Sequence, residues 1–410
     1  MAAVIVSRRA LLKGAAASLA LSALPARAQQ ADPFTPFSYR APDETLADLK
    51  RRIGAVRWPE AATEPGFAQG PSLKELQDLI RHWRDRYDWR KTESRLNAWP
   101  QFTTEIDGLG IHFLHVRSPH GNGLPIILTH GWPSTILLFQ KVIEPLTNPT
   151  AHGGTASEAF HVVITSLPGF GFSDKPTEPG WNAERTARAW AELMRRLGYE
   201  RYVAQGGDWG AFVTTALAQQ KPKGLEAIHL NFAQTIPDKI PEKLEPDQKK
   251  AVEAYTKFQE SGFAYGMLQV TKPQLAGYLL ADSPVAQAAW LYDIFDGGTG
   301  ATGRPEDLIP IDDMLDEITL YWLTNSSASS ARFYREQAAI LKGRNNPGVV
   351  DLPVGVSVFP HDLPPAKSWA PLVYPNLFYW NEVDRGGHFA QLEVPDLFVA
   401  ELRNCFSKVR

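Results

Sequence analysis

The stretch Tyr202-Val-Ala-Gln-Gly-Gly-Asp-Trp-Gly-Ala-Phe-Val-Thr214 places a single carboxylate, Asp208, between Gly206-Gly207 and Trp209-Gly210. An apolar strand-like run precedes it, and a helical pattern from Ala211 to Gln219 follows. Small residues two places before and after the central position define a nucleophile elbow, a sharp strand-to-helix turn that exposes the middle side chain and that glycines permit. A plain helix N-cap would look the same locally. An aspartate with an ordinary pKa near 3.9 is ionised at neutral pH and needs no base before it attacks. At a carbonyl it would form a reactive anhydride. At a strained or activated sp³ carbon it forms an ordinary ester, which leaves a histidine free to activate water for hydrolysis.

The other parts of such a site are sought by role. A base should follow the last strand, and Arg385-Gly-Gly-His-Phe-Ala390 supplies His388 just after Leu377-Phe-Tyr-Trp380. An orienting acid should follow the strand before it. Phe359-Pro-His-Asp362 supplies Asp362 after Val354 to Val358, which gives the chain order nucleophile, acid, histidine. Hydrolysis through a tetrahedral intermediate also needs two backbone N–H donors. His130-Gly-Trp-Pro133 follows the strand Pro125 to Thr129, so Trp132 offers one N–H and Trp209 the other. Taken singly, each is also an ordinary turn or core residue; it is the set that points to catalysis.

The elements that must position these groups alternate. Phe102 to Ile106 and Ile111 to Val116 flank Asp107-Gly-Leu-Gly110 as a hairpin. Pro125 to Thr129, Phe160 to Thr165, Tyr202 to Gln205, Ala227 to Leu230, Val354 to Val358 and Leu377 to Trp380 then read as strands separated mostly by helical patterns. That alternation predicts an α/β fold with a mostly parallel sheet covered on both faces. About 120 residues between Leu230 and Val354 carry helical pattern and no convincing strand, a candidate lid. Before the hairpin, a leading segment reads as two amphipathic helices. Asp43 to Val56 carries Leu46, Leu49 and Ile53 on one face; Ser72-Leu-Lys-Glu75 opens the other as a capping box, with Leu73, Leu76, Ile80, Trp83 and Tyr87 recurring behind it.

Together, the leading segment, His-Gly-Trp-Pro, Gly-Gly-Asp-Trp-Gly, Phe-Pro-x-Asp and Arg-Gly-Gly-His-Phe resemble the microsomal-type epoxide hydrolases of the α/β-hydrolase fold. The resemblance covers nearly the whole chain after the N-terminus. It implies an enzyme that converts epoxides to vicinal diols through an aspartyl ester, with two lid tyrosines holding the epoxide oxygen. Glu260-Ser-Gly-Phe-Ala-Tyr-Gly-Met-Leu-Gln-Val-Thr-Lys-Pro273 is similar to the first tyrosine motif and points to Tyr265, with Phe263 as the alternative counterpart; Arg332-Phe-Tyr-Arg-Glu336 points to Tyr334. A haloalkane dehalogenase shares the fold and the aspartate, and a non-catalytic binder of apolar ligands could use the same scaffold. The tyrosine motifs speak against the first and the water-activating histidine against the second.

Composition limits the partners. The 410 residues carry a net charge of −3 and no basic stripe, so nucleic acid is not expected. Pro168-Gly-Phe-Gly-Phe-Ser-Asp174 lacks the third glycine of a dinucleotide loop and is read as a pocket-bordering loop. His112 and His115 fall on opposite faces of a strand, so no metal site and no cofactor is assigned. The expected partners are a small apolar epoxide and water. Ser7-Arg-Arg-Ala-Leu-Leu-Lys13, the apolar run Gly14 to Leu24 and Ala26-Arg-Ala28 resemble a twin-arginine export signal cleaved after Ala28, too short for a membrane span. Such cleavage removes four basic residues and no acid, leaving a more acidic periplasmic protein whose single cysteine, Cys405, can form no internal disulfide. The expected organisation is 1–28 signal, 29–100 leading segment, 101–232 first part of the core, 233–348 lid and 349–410 second part of the core.

Overall fold

The computed structural model describes residues 33–301, 303–341 and 345–410; the stretch 1–28 read as an export signal lies outside them. Nine strands form one sheet: β1 (Thr35–Phe37), β2 (Gln101–Ile106), β3 (Leu109–Val116), β4 (Leu124–Thr129), β5 (Phe160–Thr165), β6 (Tyr202–Gly206), β7 (Leu225–Leu230), β8 (Val354–Val358) and β9 (Leu377–Glu382). Their spatial order is β1-β2-β3-β5-β4-β6-β7-β8-β9. The pairs β1–β2, β2–β3 and β3–β5 are antiparallel, and every pair from β5–β4 to β8–β9 is parallel. The inner strands read as unbroken apolar runs because helices cover both faces: Ile126, Ile127, Leu128, Val162, Val163 and Ile164 are all at most 1 % exposed. The functional ends of β4, β6, β8 and β9 therefore lie along one edge, where parallel strands all finish.

In the leading segment, two helices form close to where periodicity puts them, Asp43–Gly54 and Leu73–Asp85. Ser72 caps the second by accepting from the Glu75 N–H at 3.3 Å; the return bond of a capping box is not made. A third helix, Trp89–Asn97, and the edge strand β1 were not legible in the sequence. The helix is mostly polar and starts at Asp88, which accepts from the Arg90 N–H at 3.0 Å. The strand has only three residues, too few for a period, and exists because β2 offers it an edge.

Between β7 and β8 the described residues form helices and no strand, as the lid interval predicts. No helix among the described residues is long and apolar enough to cross a membrane. Of the lid helices, Ile311–Thr324 sits deepest, with Asp316, Glu317 and Thr319 fully buried. The leading segment is fastened to it. Trp83 Nε1 donates to Thr319 Oγ1 at 2.9 Å, Tyr87 Oη and Arg95 Nη2 each reach Asp316 at 2.7 Å, and the Thr92 hydroxyl also donates to Asp316. One residue further on, Glu317 Oε2 accepts from Thr135 Oγ1 at 2.6 Å, two positions beyond Pro133. Buried carboxylates persist only where donors meet them, so two adjacent acids tie segment, lid and the loop after β4 into one unit.

Glu317 is only half satisfied, since its Oε1 is buried without a hydrogen-bond partner. Burial pushes this carboxyl up to about 8, against the Thr135 hydroxyl, which favours the charged form. The folded protein thus holds this proton more tightly than the unfolded chain, and stability should fall as pH rises from the ordinary range near 4.5 to about 8. The slope from this one group is at most about 1.4 kcal/mol per pH unit. Denaturant unfolding of Glu317→Gln across that window should show a flatter dependence than the wild type. Parallel curves for the two proteins would contradict a proton held on Glu317.

Candidate active site

Asp208 occupies the turn between β6 and helix Trp209–Gln220 with φ 51° and ψ −129°. For a residue with a Cβ this is strained backbone, on the order of 1–3 kcal/mol. Its side chain makes no bond to the helix it precedes, so it is not acting as a cap. The glycines around it serve close approach and not conformational freedom, a correction to the sequence reading. A Cβ on Gly206 would run into the Gly210 carbonyl, one on Gly210 into the Thr129 carbonyl, and one on Gly131 into the Asp208 carboxylate itself. The left-handed residue is Asp208, and its neighbours are small so that strand, helix and loop can meet beneath it.

The two other groups sought by role converge on it. His388 Nε2 lies 3.4 Å from Asp208 Oδ2, and its Nδ1 lies 3.0 Å from Asp362 Oδ1. Burial alone would depress the imidazole's pKa, but the Asp362 and Asp208 carboxylates outweigh it and hold His388 well above the ordinary value. The raised value favours the imidazolium form of His388 beside these two side chains. Trp132 N–H donates to Asp208 Oδ1 at 2.8 Å. Trp209 opens the following helix, in the turn whose N–H groups lack an intrahelical acceptor.

Tyr265 and Tyr334 share the cavity with Asp208, their rings edge-on at 6.1 Å between centroids. Burial, with the Asp208 charge adding to it, raises both above the ordinary phenol range, so both remain protonated donors. The Tyr265 ring stacks on Trp132 at 5.0 Å between centroids, and Tyr334 meets Trp209 edge-on at 4.6 Å. Phe263, the alternative to Tyr265, packs edge-on against that tyrosine at 5.6 Å and carries no polar atom to offer. These groups open on a cavity of about 510 Å³ whose walls include Phe212, Phe232, Phe258, Phe263 and Val270.

Other histidines are explained by their surroundings. His130 accepts from the Leu167 N–H at 3.2 Å through Nε2, and burial drops it to about 4, so it is a neutral brace for the loop holding Trp132. His112 and His115 diverge: the first is buried against Ser166 and Gln101, the second meets the Tyr199 hydroxyl. The Pro168 to Asp174 loop does not line the cavity; the Gly169 carbonyl accepts from Ser329 and supports the lid from outside it. Sequence reasoning missed Glu393, whose Oε1 accepts the Phe389 N–H at 2.9 Å and closes the turn that carries His388. Its one sequence signal, a carboxyl five residues after the histidine, has no characteristic spacing.

Two family descriptions and several known proteins match the chain over most of its length. A family described as "Epoxide hydrolase N terminus" matches residues 34–139, and one described as "alpha/beta hydrolase fold" matches 125–284. A putative epoxide hydrolase of Stigmatella aurantiaca is 56 % identical over 380 residues, covering 92 % of this chain and 86 % of that one. Epoxide hydrolase 1 of Sus scrofa is 34 % identical, covering 92 % and 89 %. The solved structure of the Aspergillus niger epoxide hydrolase superposes with a TM-score of 0.81 at 32 % identity, over 92 % of this chain and 96 % of that one.

The raised pKa of His388 is directly measurable. Its contribution to stability is fully present below about 6.5 and fades as pH rises through the raised folded value. In an NMR titration of the imidazoles, His388 should stay protonated well past 6.5, and Asp362→Asn should bring its midpoint down by about 1–3 pH units. A wild-type midpoint at or below the ordinary value would refute the charged triad.

Proposed function

The chain belongs to the epoxide hydrolases of the α/β-hydrolase fold, and from that we infer that Asp208, His388, Asp362, Tyr265 and Tyr334 divide the work between them. The enzyme opens an epoxide through an aspartyl ester and hydrolyses that ester to a vicinal diol. The observation that carries the assignment is His388 sitting 3.4 Å from Asp208 and 3.0 Å from Asp362, with Asp208 lining the same cavity as the two protonated tyrosines.

Asp208 Oδ1 is engaged by the Trp132 N–H, so Oδ2 is the attacking oxygen. Oδ2 displaces the epoxide oxygen from carbon; Tyr265 and Tyr334 hydrogen-bond to that oxygen, and one of them gives it a proton. Esterification removes the Asp208 charge, and with it part of what kept His388 protonated. Its proton then returns to the tyrosinate, and the freed Nε2 takes a proton from water, which attacks Cγ of the ester. Negative charge develops on Oδ1, where the Trp132 and Trp209 N–H groups stabilise it. Collapse releases the second alcohol, protonated from His388, and the acid left on Asp208 re-forms the carboxylate and imidazolium. No proton is gained from or lost to solvent over the cycle, and no cofactor is called on.

The phenylalanine-lined cavity favours a bulky apolar epoxide. The N-terminal Ser7-Arg-Arg-Ala-Leu-Leu-Lys13 with Ala26-Arg-Ala28 supports export by a twin-arginine route. If so, replacing Arg8 and Arg9 by lysine should leave uncleaved protein in the cytoplasmic fraction; unchanged processing would remove that part of the reading.

For the chemistry, His388→Gln exposed to styrene oxide should gain the mass of one whole epoxide, mapped to Asp208, while Asp208→Ala should lose turnover altogether. Substantial diol formation by Asp208→Ala would defeat the mechanism.

A further inference from the structure

We propose that the indole N–H of Trp209 is a working part of the ring-opening site, donating to the Tyr334 hydroxyl oxygen as that hydroxyl gives up its proton. This rests on the functional reading above and adds a residue whose side chain that reading does not use. Trp209 is 9 % exposed, and its Nε1 is buried with no acceptor in full hydrogen-bond geometry. Three other buried indoles are satisfied: Trp83 on Thr319 at 2.9 Å, Trp190 on Thr129 at 3.1 Å and Trp89 on Glu93 at 3.3 Å. Leaving a buried donor unmatched is unfavourable, and this one sits beside the nucleophile against the edge of the Tyr334 ring, at 4.6 Å and 89°.

Tyr334 is the group that profits. Burial, the neighbouring Tyr265 and the Asp208 charge all make its phenol a weaker acid, whereas Trp209 acts the other way by favouring its ionised form. A weak acid is a poor partner for a departing alkoxide. While Tyr334 is neutral, the indole contact is incomplete. As its oxygen turns negative, the same N–H has an acceptor, so the interaction is stronger in the transition state than in the resting enzyme, which is the condition for lowering a barrier. Tyr265 is stacked on Trp132, and the neighbour that favours its ionised form is the Tyr334 hydroxyl and not an indole. The two tyrosines are then unequal in their neighbours: Trp209 is set against Tyr334, and it is Tyr334 whose developing charge the indole N–H can meet. Trp209 acts through Tyr334 and is a positioning residue, distinct from the backbone N–H of the same residue.

The test is single-turnover ester formation with styrene oxide in the wild type, Trp209→Phe, Tyr334→Phe and the double variant. Trp209→Phe keeps the backbone N–H and a flat ring. It should slow ester formation roughly tenfold and change ester hydrolysis by less than about twofold. In the Tyr334→Phe background the same substitution should have no effect on ester formation, because the group through which it acts is gone. An equal slowing in both backgrounds, or none in either, overturns the proposal. If Trp209→Phe does not fold, benzothienylalanine at position 209 removes the N–H with almost no change of shape and carries the same comparison. The wild-type trace separates the readings: an Asp208 ester that forms with no Trp209 effect sinks this inference alone, whereas the absence of any ester sinks the mechanism with it.

Discussion

A carboxyl group held among aromatic rings at the end of β6 is the constraint to which the rest of the molecule answers. Asp208 has Trp132 N–H on one oxygen at 2.8 Å and His388 beside the other at 3.4 Å. Neither contact would exist without the turn that strains its backbone to φ 51°. That turn needs helix Trp209–Gln220 pressed against β4 and β6 so closely that Gly206 and Gly210 have no room for a Cβ. A local conformation costing a few kcal/mol survives because a whole sheet and helix over-determine it.

Charge placement follows from the same constraint. Two buried histidines at the rim of the sheet end in opposite states: His130, paired only with backbone groups, is held neutral, and His388, between two carboxylates, is held charged. The two tyrosines are kept as phenols by burial. A raised imidazole beside Asp208 and Asp362, with two neutral phenol donors, is what the substrate meets. On the proposed mechanism, esterification of Asp208 would remove one of the two carboxylates that raise His388 and so turn it towards a base.

The leading segment gains a purpose beyond packing. Trp83, Tyr87, Thr92 and Arg95 all end on helix Ile311–Thr324, and the next turn-face of that helix gives Glu317 to Thr135 in the loop that carries Trp132. Lid, leading segment and the N–H that aims Asp208 are therefore mechanically continuous. A lid fixed along one deep helix leaves its shallower helices, Ala264–Thr271 and Ser327–Leu341, to present Tyr265 and Tyr334.

How much of this was legible beforehand depends on range. Periodicity and turn chemistry are local, and they located the inner strands, the lid interval and the elbow; role and chain order then picked out Asp208, Asp362 and His388. What local pattern could not reach were elements formed only because a neighbour was there: the three-residue β1 on the edge of β2, the polar helix Trp89–Asn97, the buried acids Asp316 and Glu317 and the half-buried Glu393, which look like surface residues until the fold surrounds them. By itself, the sequence determined which atoms could do chemistry, because a nucleophile, an acid, a base and two phenols are fixed by residue type. Tertiary structure alone decided the charge state of His388, which oxygen of Asp208 the Trp132 N–H engages and the orphan N–H beside Tyr334, because each depends on burial and on partners distant in the sequence.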